Sequence, residues 1–259
     1  MKRAICALAS ISMLALTSPL LAKESSVAVQ YLSPVNDQEQ QILKAIKDSG
    51  VDETLMSLAD LYFPFNNPLT IKYGSDDGPL YDPESHQVHI PYEFYLQSEQ
   101  YFDKNLTQSS AESAQEGANA TLLHTLLHEA GHAYIADQNI PILGKEEDAV
   151  DNFATLLLLN YVEGGDSIAI NAADMFAFES EDKPEYYEFD EYIDEHSFDL
   201  QRYFSTLCLV YGYDPEAHPK LLDEIEKDYL TERKGFCEYH YQSLDQNWSV
   251  YLKTEREAN

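Results

Sequence analysis

The sequence predicts an α+β fold that is mainly helical, with a small N-terminal β-sheet and a pair of helices carrying the functional site. Three observations predict it. Apolar residues recur at helical spacing through Thr121-Leu-Leu-His-Thr-Leu-Leu127 and again from Ala149 to Leu159, with no breaker in either run. Between residues 68 and 91 the texture changes to short β-rich runs bounded by turn residues. The first apolar run leads into His128-Glu129-Ala-Gly-His132, a spacing that suits a metal-binding helix better than a strand.

Taken in order, the chain opens with Met1-Lys2-Arg3, an apolar stretch from Ala4 to Leu16, and Ser18-Pro19-Leu-Leu-Ala22 ahead of polar Lys23. A charged start, a short apolar core and a small residue at the end make residues 1–22 a secretory signal peptide, cleaved after Ala22 and taking Cys6 with it. The protein is therefore expected to be exported, periplasmic or secreted. No later run approaches the length of a membrane span, so no membrane insertion is expected after cleavage. Residues 23–259 read as a single domain, with 23–65 as an N-terminal helical extension containing helices at 37–48 and 52–62. Leu69-Thr-Ile-Lys-Tyr73 and Gln87-Val-His-Ile-Pro91 read as neighbouring strands around the turns Ser75-Asp-Asp-Gly78 and Asp82-Pro83. A helix follows over 92–104. The metal helix starts near Ser109, paired with Glu112 as a capping box, or at a second box of Ser113 and Glu116, and runs to Asp137. Further helices are expected from Glu147, over 166–178, 195–211 and 219–229, and from about 238 to 253.

The 46 acidic and 16 basic residues give a net charge of −30. Such a surface repels nucleic acid and anionic membranes. The densest acidic run, Glu179 to Glu195, reads as a solvated loop in preference to a calcium site. The two cysteines left after export, Cys208 and Cys237, form the simplest pair for a disulfide in an oxidising compartment. The bridge would tie two C-terminal helices together and contribute roughly 3 to 4 kcal/mol in the chain-entropy model. A second metal site on Cys237 and His240 is the competing reading, disfavoured because Cys208 has no closely spaced partner cysteine.

The chemistry concentrates between His124 and Asp151. Residues at i and i+4 share a helix face, so His128 and His132 can reach one ion. Glu129 is rotated about 100° from His128, which lets its carboxylate act on a water beside the metal as a general base without being a ligand. A catalytic zinc takes three protein ligands and leaves a fourth position open. Glu147 is the favoured third ligand, with Glu146 and Asp148 as competitors. Asp151, one helical turn after Glu147, can accept the second ring proton of a ligand histidine. His124 continues the row, but three groups spread over roughly 12 Å of helix axis cannot share one ion. It is expected to be packed or hydrogen-bonded beneath the site.

His128-Glu129-x-x-His132 followed by Glu147-x-x-x-Asp151 resembles the gluzincin pattern of zinc peptidases. Together with Asp194-Glu-His-Ser-Phe-Asp, Gln201-Arg202, Cys208-Leu-Val-Tyr-Gly-Tyr-Asp-Pro215 and Cys237-Glu-Tyr-His, it resembles a family of exported bacterial metallopeptidases over roughly residues 65 to 255. The resemblance implies a zincin-like fold, Zn2+ as cofactor and a peptide or protein substrate. It further implies that a sheet edge beside the metal helix holds an extended peptide, and that His196 stabilises a developing oxyanion. Arg202 could anchor the acidic helix starts or meet a substrate carboxylate, the structural role being favoured. The expected activity is zinc-dependent hydrolysis of peptide bonds. The alternatives are a non-catalytic exported zinc-binding protein and a zinc hydrolase of a non-peptide amide.

Overall fold

Period-two patterning near the start of the chain and helical patterning after it produce two layers, and the site lies where they meet. The structure, a computed structural model, describes residues 25–182 and 191–253. The expected leader, residues 1–22, lies outside them, as do residues 183–190 of the acidic run. Among the described residues four strands, β1 (Val27–Tyr31), β2 (Leu69–Tyr73), β3 (Leu80–Asp82) and β4 (Gln87–Ile90), form one sheet in the order β1-β2-β4-β3. β1, β2 and β4 run parallel, whereas β3 is antiparallel to β4 and takes the edge. Alternate residues Leu69, Ile71 and Tyr73 are fully buried, as the pleat requires of a strand with one face on the core.

Residues 23–65 are not only helical. Their first segment is β1, in register with β2 from Val27 opposite Leu69 to Tyr31 opposite Tyr73. Helices α1 (Asp37–Ser49) and α2 (Val51–Tyr62) follow. The hydroxyls of Tyr31 and Tyr73 both donate to Asp52, a buried carboxylate on α2. The two tyrosine rings stack at 5.2 Å. Leu55, Ala59 and Phe63 are fully buried in the same core as the sheet and the later helices, so this segment is part of the main packing.

After α3 (Tyr92–Asn105) comes the central helix α4 (Ala114–Gln138). It begins at the second of the two capping positions: the Ser113 hydroxyl accepts the Glu116 N–H at 3.1 Å. The earlier start near Ser109 is corrected. The Ser109 hydroxyl accepts the Ala111 N–H and the Ser110 N–H donates to Asp174 of a later helix, so this segment is pinned outside the helix. Gly117 sits where a Cβ would come within 2.2 Å of the Phe102 ring, so glycine permits the close approach of α3. Leu122, Leu126 and Leu127 are completely buried. Each contributes roughly 1.5 to 3 kcal/mol by burial.

α5 (Glu146–Tyr161), α6 (Gly165–Glu181), α7 (Asp199–Tyr213) and α8 (Lys227–Ser249) complete the helical layer. α4 packs against α3, α5 and α6 and also touches β3. α7 starts at Asp199, later than expected, leaving residues 194–198 as a connection that carries His196. The C-terminal expectation is also corrected. Residues 219–226 form turns, and one helix spans Lys227–Ser249, with Gly235 lying in its interior. Its buried residues are Cys237 and Trp248, too few to leave a clear apolar period. Cys208 on α7 and Cys237 on α8 form the expected disulfide, with Cα atoms 5.0 Å apart and a sequence separation of 29. Among the described residues no helix is long and apolar enough to cross a membrane.

Candidate metal centre

α4 and α5 cross closely at the motif because Gly131 has no side chain. A Cβ there would stand 3.0 Å from Phe153 and Val150 of α5. That contact brings the first turn of α5 up to the two histidines. His128 Nε2 lies 3.1 Å from Glu147 Oε2, and His132 Nε2 lies 3.3 Å from the same oxygen. One donor atom from each of His128, His132 and Glu147 falls within 4.8 Å of the others. Two imidazole nitrogens and a carboxylate oxygen converging in this way form a donor set that could hold a divalent metal of the zinc class.

The Nδ1 of each ring is engaged by a carboxylate behind it, which leaves Nε2 as the atom turned toward Glu147. His128 Nδ1–H donates to Asp151 Oδ1 at 2.7 Å, and His132 Nδ1–H donates to Glu146 Oε1 at 2.8 Å. Asp151 is itself held by Arg202 of α7, whose Nε and Nη2 donate to Oδ2 and Oδ1 at 2.7 and 2.9 Å. Burial works against an ionised Asp151, but the Arg202 charge and hydrogen bonds outweigh it and hold the carboxyl well below the usual carboxylate range. Burial likewise opposes charge on Glu147, and the hydrogen bonds from His128, His132 and His196 overcome it, so its pKa is strongly lowered.

The three acidic residues that open α5 divide their work. Glu147 faces both Nε2 atoms. Glu146 stands behind His132. Asp148 turns aside to accept the Ser197 hydroxyl at 2.7 Å. The sequence had offered Glu146 as a rival ligand; its contact with His132 went unforeseen because it depends on how α4 and α5 cross. Asp151 lies where the one-turn spacing put it, on His128.

Glu129 is 7% exposed and lines a cavity of about 700 Å³ with His128, His132, Glu147 and His196. The opposite wall is Pro79, Leu80, Tyr81 and Pro83, which places the edge strand β3 across from the histidines. Burial pushes the Glu129 carboxyl upward, against the pull of the nearby histidines. The Tyr81 backbone, on the facing wall, helps draw the Glu129 carboxyl downward. His196 reaches the same cavity from the connection before α7. Its Nε2 is 3.0 Å from Glu147 Oε2, and its hydrogen bond to Glu147 raises its pKa. Lys145 Nζ donates to the His196 carbonyl at 3.0 Å, fastening this connection to the start of α5. His124 is buried beneath the site, 3.4 Å from Thr155 Oγ1 and edge-on to Phe176. Burial lowers its pKa to about 4.

A helix pair with a His-Glu-x-x-His face, a carboxylate from the second helix and a buried neighbouring glutamate makes a site that could hold a metal ion. Residues 31–252 match the model of a protein family described as "Putative metallopeptidase", and the chain belongs to that family. No curated protein and no solved structure matches the chain.

Proposed function

We propose that this protein is a zinc-dependent peptidase that hydrolyses peptide bonds with Glu129 as general base. The observation carrying the reading is the convergence of His128 Nε2, His132 Nε2 and a Glu147 oxygen on one point, beside a buried Glu129 in an open cavity. Zinc held by these three residues would acidify a water toward a pKa of about 7 and polarise the scissile carbonyl. Glu129 takes the proton of that water and passes it to the leaving nitrogen. A raised carboxyl pKa suits a group that accepts and then releases a proton near neutrality. Asp151 and Glu146 keep the protons of both imidazoles on Nδ1. His196, half-exposed at the cavity, donates to the oxygen on which charge develops. The edge strand β3 offers main-chain groups to an extended peptide. The leader-like residues 1–22 and the Cys208–Cys237 bridge support an exported protein.

The test is a peptide-library cleavage assay on wild type and Glu129→Gln, with metal content measured on both. Retained zinc with turnover lowered roughly 10²- to 10⁴-fold is expected of the variant. Equal turnover by the two proteins, in preparations whose cleavage is abolished by chelator, would sink the general-base role.

One contact favours a second reading. His196 Nε2 lies as close to the Glu147 oxygen as the two α4 histidines do, so His196 could close the coordination and make a four-ligand, non-catalytic zinc site. Zinc affinity of His196→Ala decides between them: unchanged affinity supports the open site, and loss of the metal supports the closed one.

A further inference from the structure

Arg202 touches neither the converging donor atoms nor the edge strand, yet it is built into the site. Its side chain is 16% exposed, and its guanidinium lies over the Phe176 ring at 4.0 Å. Both Nε and Nη2 go to one carboxylate, that of Asp151. Asp151 Oδ1 receives the His128 Nδ1–H and the Arg202 Nη2–H together, at 2.7 and 2.9 Å, while Oδ2 receives Nε–H at 2.7 Å. A planar fork gripping both oxygens fixes the plane of the carboxylate as well as its position. The oxygen that meets His128 therefore cannot rotate away. A lysine ammonium would supply the charge at a point without setting that plane.

Resting on the reading that His128, His132 and Glu147 hold a metal ion, we propose that Arg202 is a positioning residue of the centre: through Asp151 it orients the His128 ring and fixes Nε2 as the atom offered to the metal. Metal affinity then depends on a residue 51 positions from Asp151 in the sequence, carried by another helix.

The proposal separates from a purely structural role by non-additivity. Wild type, Arg202→Met, Arg202→Lys, Asp151→Asn and the double variant Arg202→Met/Asp151→Asn are stripped of metal. Each is then titrated with Zn2+ against a competing chelator and, separately, with Co2+ to read its visible ligand-field spectrum. Arg202→Met is expected to weaken zinc binding roughly 10- to 100-fold, as loss of an outer-shell partner of a ligand histidine does. Its Co2+ spectrum should change, and Arg202→Lys should recover part of the affinity. In the Asp151→Asn background the same arginine replacement should change affinity by less than about 3-fold, because the residue through which it acts no longer offers a carboxylate.

Wild-type affinity in Arg202→Met, or an equal factor lost in both backgrounds, overturns the proposal. Should Arg202→Met not fold by circular dichroism, Arg202→Lys is compared in the same two backgrounds with the same criteria. A wild-type protein that binds neither ion overturns the metal-centre reading itself and this proposal with it. A wild type that binds zinc while the arginine variants bind it equally well overturns this proposal alone.

Discussion

The two histidines of the candidate metal centre sit one helical turn apart and are supported in different ways. His128 is backed by Asp151, whose side chain is 12% exposed and which is gripped by Arg202. His132 is backed by Glu146, whose side chain is 47% exposed. The first arm is a buried relay of imidazole, carboxylate and guanidinium, and the second is a solvated contact. A buried charge pair is costly to break because the surviving partner is left unpaired in a medium that solvates it poorly, whereas a solvated carboxylate is readily replaced by water. The site thus combines one arm fixed by the core with one open to solvent, on the side where the cavity lies.

The comparison can be broken from its strongest point downward. His128→Ala should abolish stoichiometric metal binding, read by elemental analysis of purified protein, and turnover with it. Asp151→Asn should weaken zinc affinity roughly 10- to 100-fold. It should also cost about 3 to 5 kcal/mol of stability in urea unfolding, since Arg202 stays buried without its partner. A loss below about 1 kcal/mol would show that the relay is less protected from water than its burial indicates.

The third histidine of the row sharpens the contrast. In the metal-free chain burial opposes charge on His128, but its bonds to Asp151 and Glu147 prevail and raise its pKa to about 9. His124, one turn earlier, has burial without such bonds, and its pKa falls from 6.5 to about 4. An unfolded chain protonates His124 near pH 6.5, while the folded one resists until about pH 4. The stability this group provides is thus intact above pH 6.5 and lost as the pH falls toward 4, in total about 3 kcal/mol. His124→Gln should remove that part of the pH dependence, seen as a flatter plot of urea midpoint against pH relative to wild type; parallel plots would exclude a buried neutral imidazole. The smallest effect belongs to the exposed arm. Glu146→Gln should shift zinc affinity by less than about 10-fold and stability by less than about 1 kcal/mol. A loss as large as that of Asp151→Asn would erase the distinction between the arms.

The histidine pair was legible because four-residue spacing puts both on one helix face, the Glu147–Asp151 pair because the two lie one turn apart, and the disulfide because only two cysteines follow the leader-like residues 1–22. The relay beyond Asp151 was not, since no local pattern reports which carboxylate a residue on another helix will meet. Arg202 read as an anchor of acidic helix starts in general terms, and its particular partner emerged with the packing of α5 on α7. The strand β1 carries an alternating pattern in Val27-Ala-Val-Gln-Tyr31, but its partner β2 is distant in sequence and the run is only 5 residues long. α8 was divided in two because a helix exposed over most of its surface has little apolar period to follow. Glu146 competed with Glu147 for a geometric reason: adjacent positions on a helix point about 100° apart, and only the crossing of α4 and α5 decides which of them faces the ring nitrogens.

α7 carries Arg202 near its start and Cys208 further along, and the Cys208–Cys237 bridge fastens it to α8. The three donor residues belong to α4 and α5, so they are all synthesised before the helix that completes their support. A nascent chain ending ahead of α7 would possess every ligand and still lack the orienting fork. Closing the C-terminal helices over the motif is thus what completes the support of His128 in the folded chain.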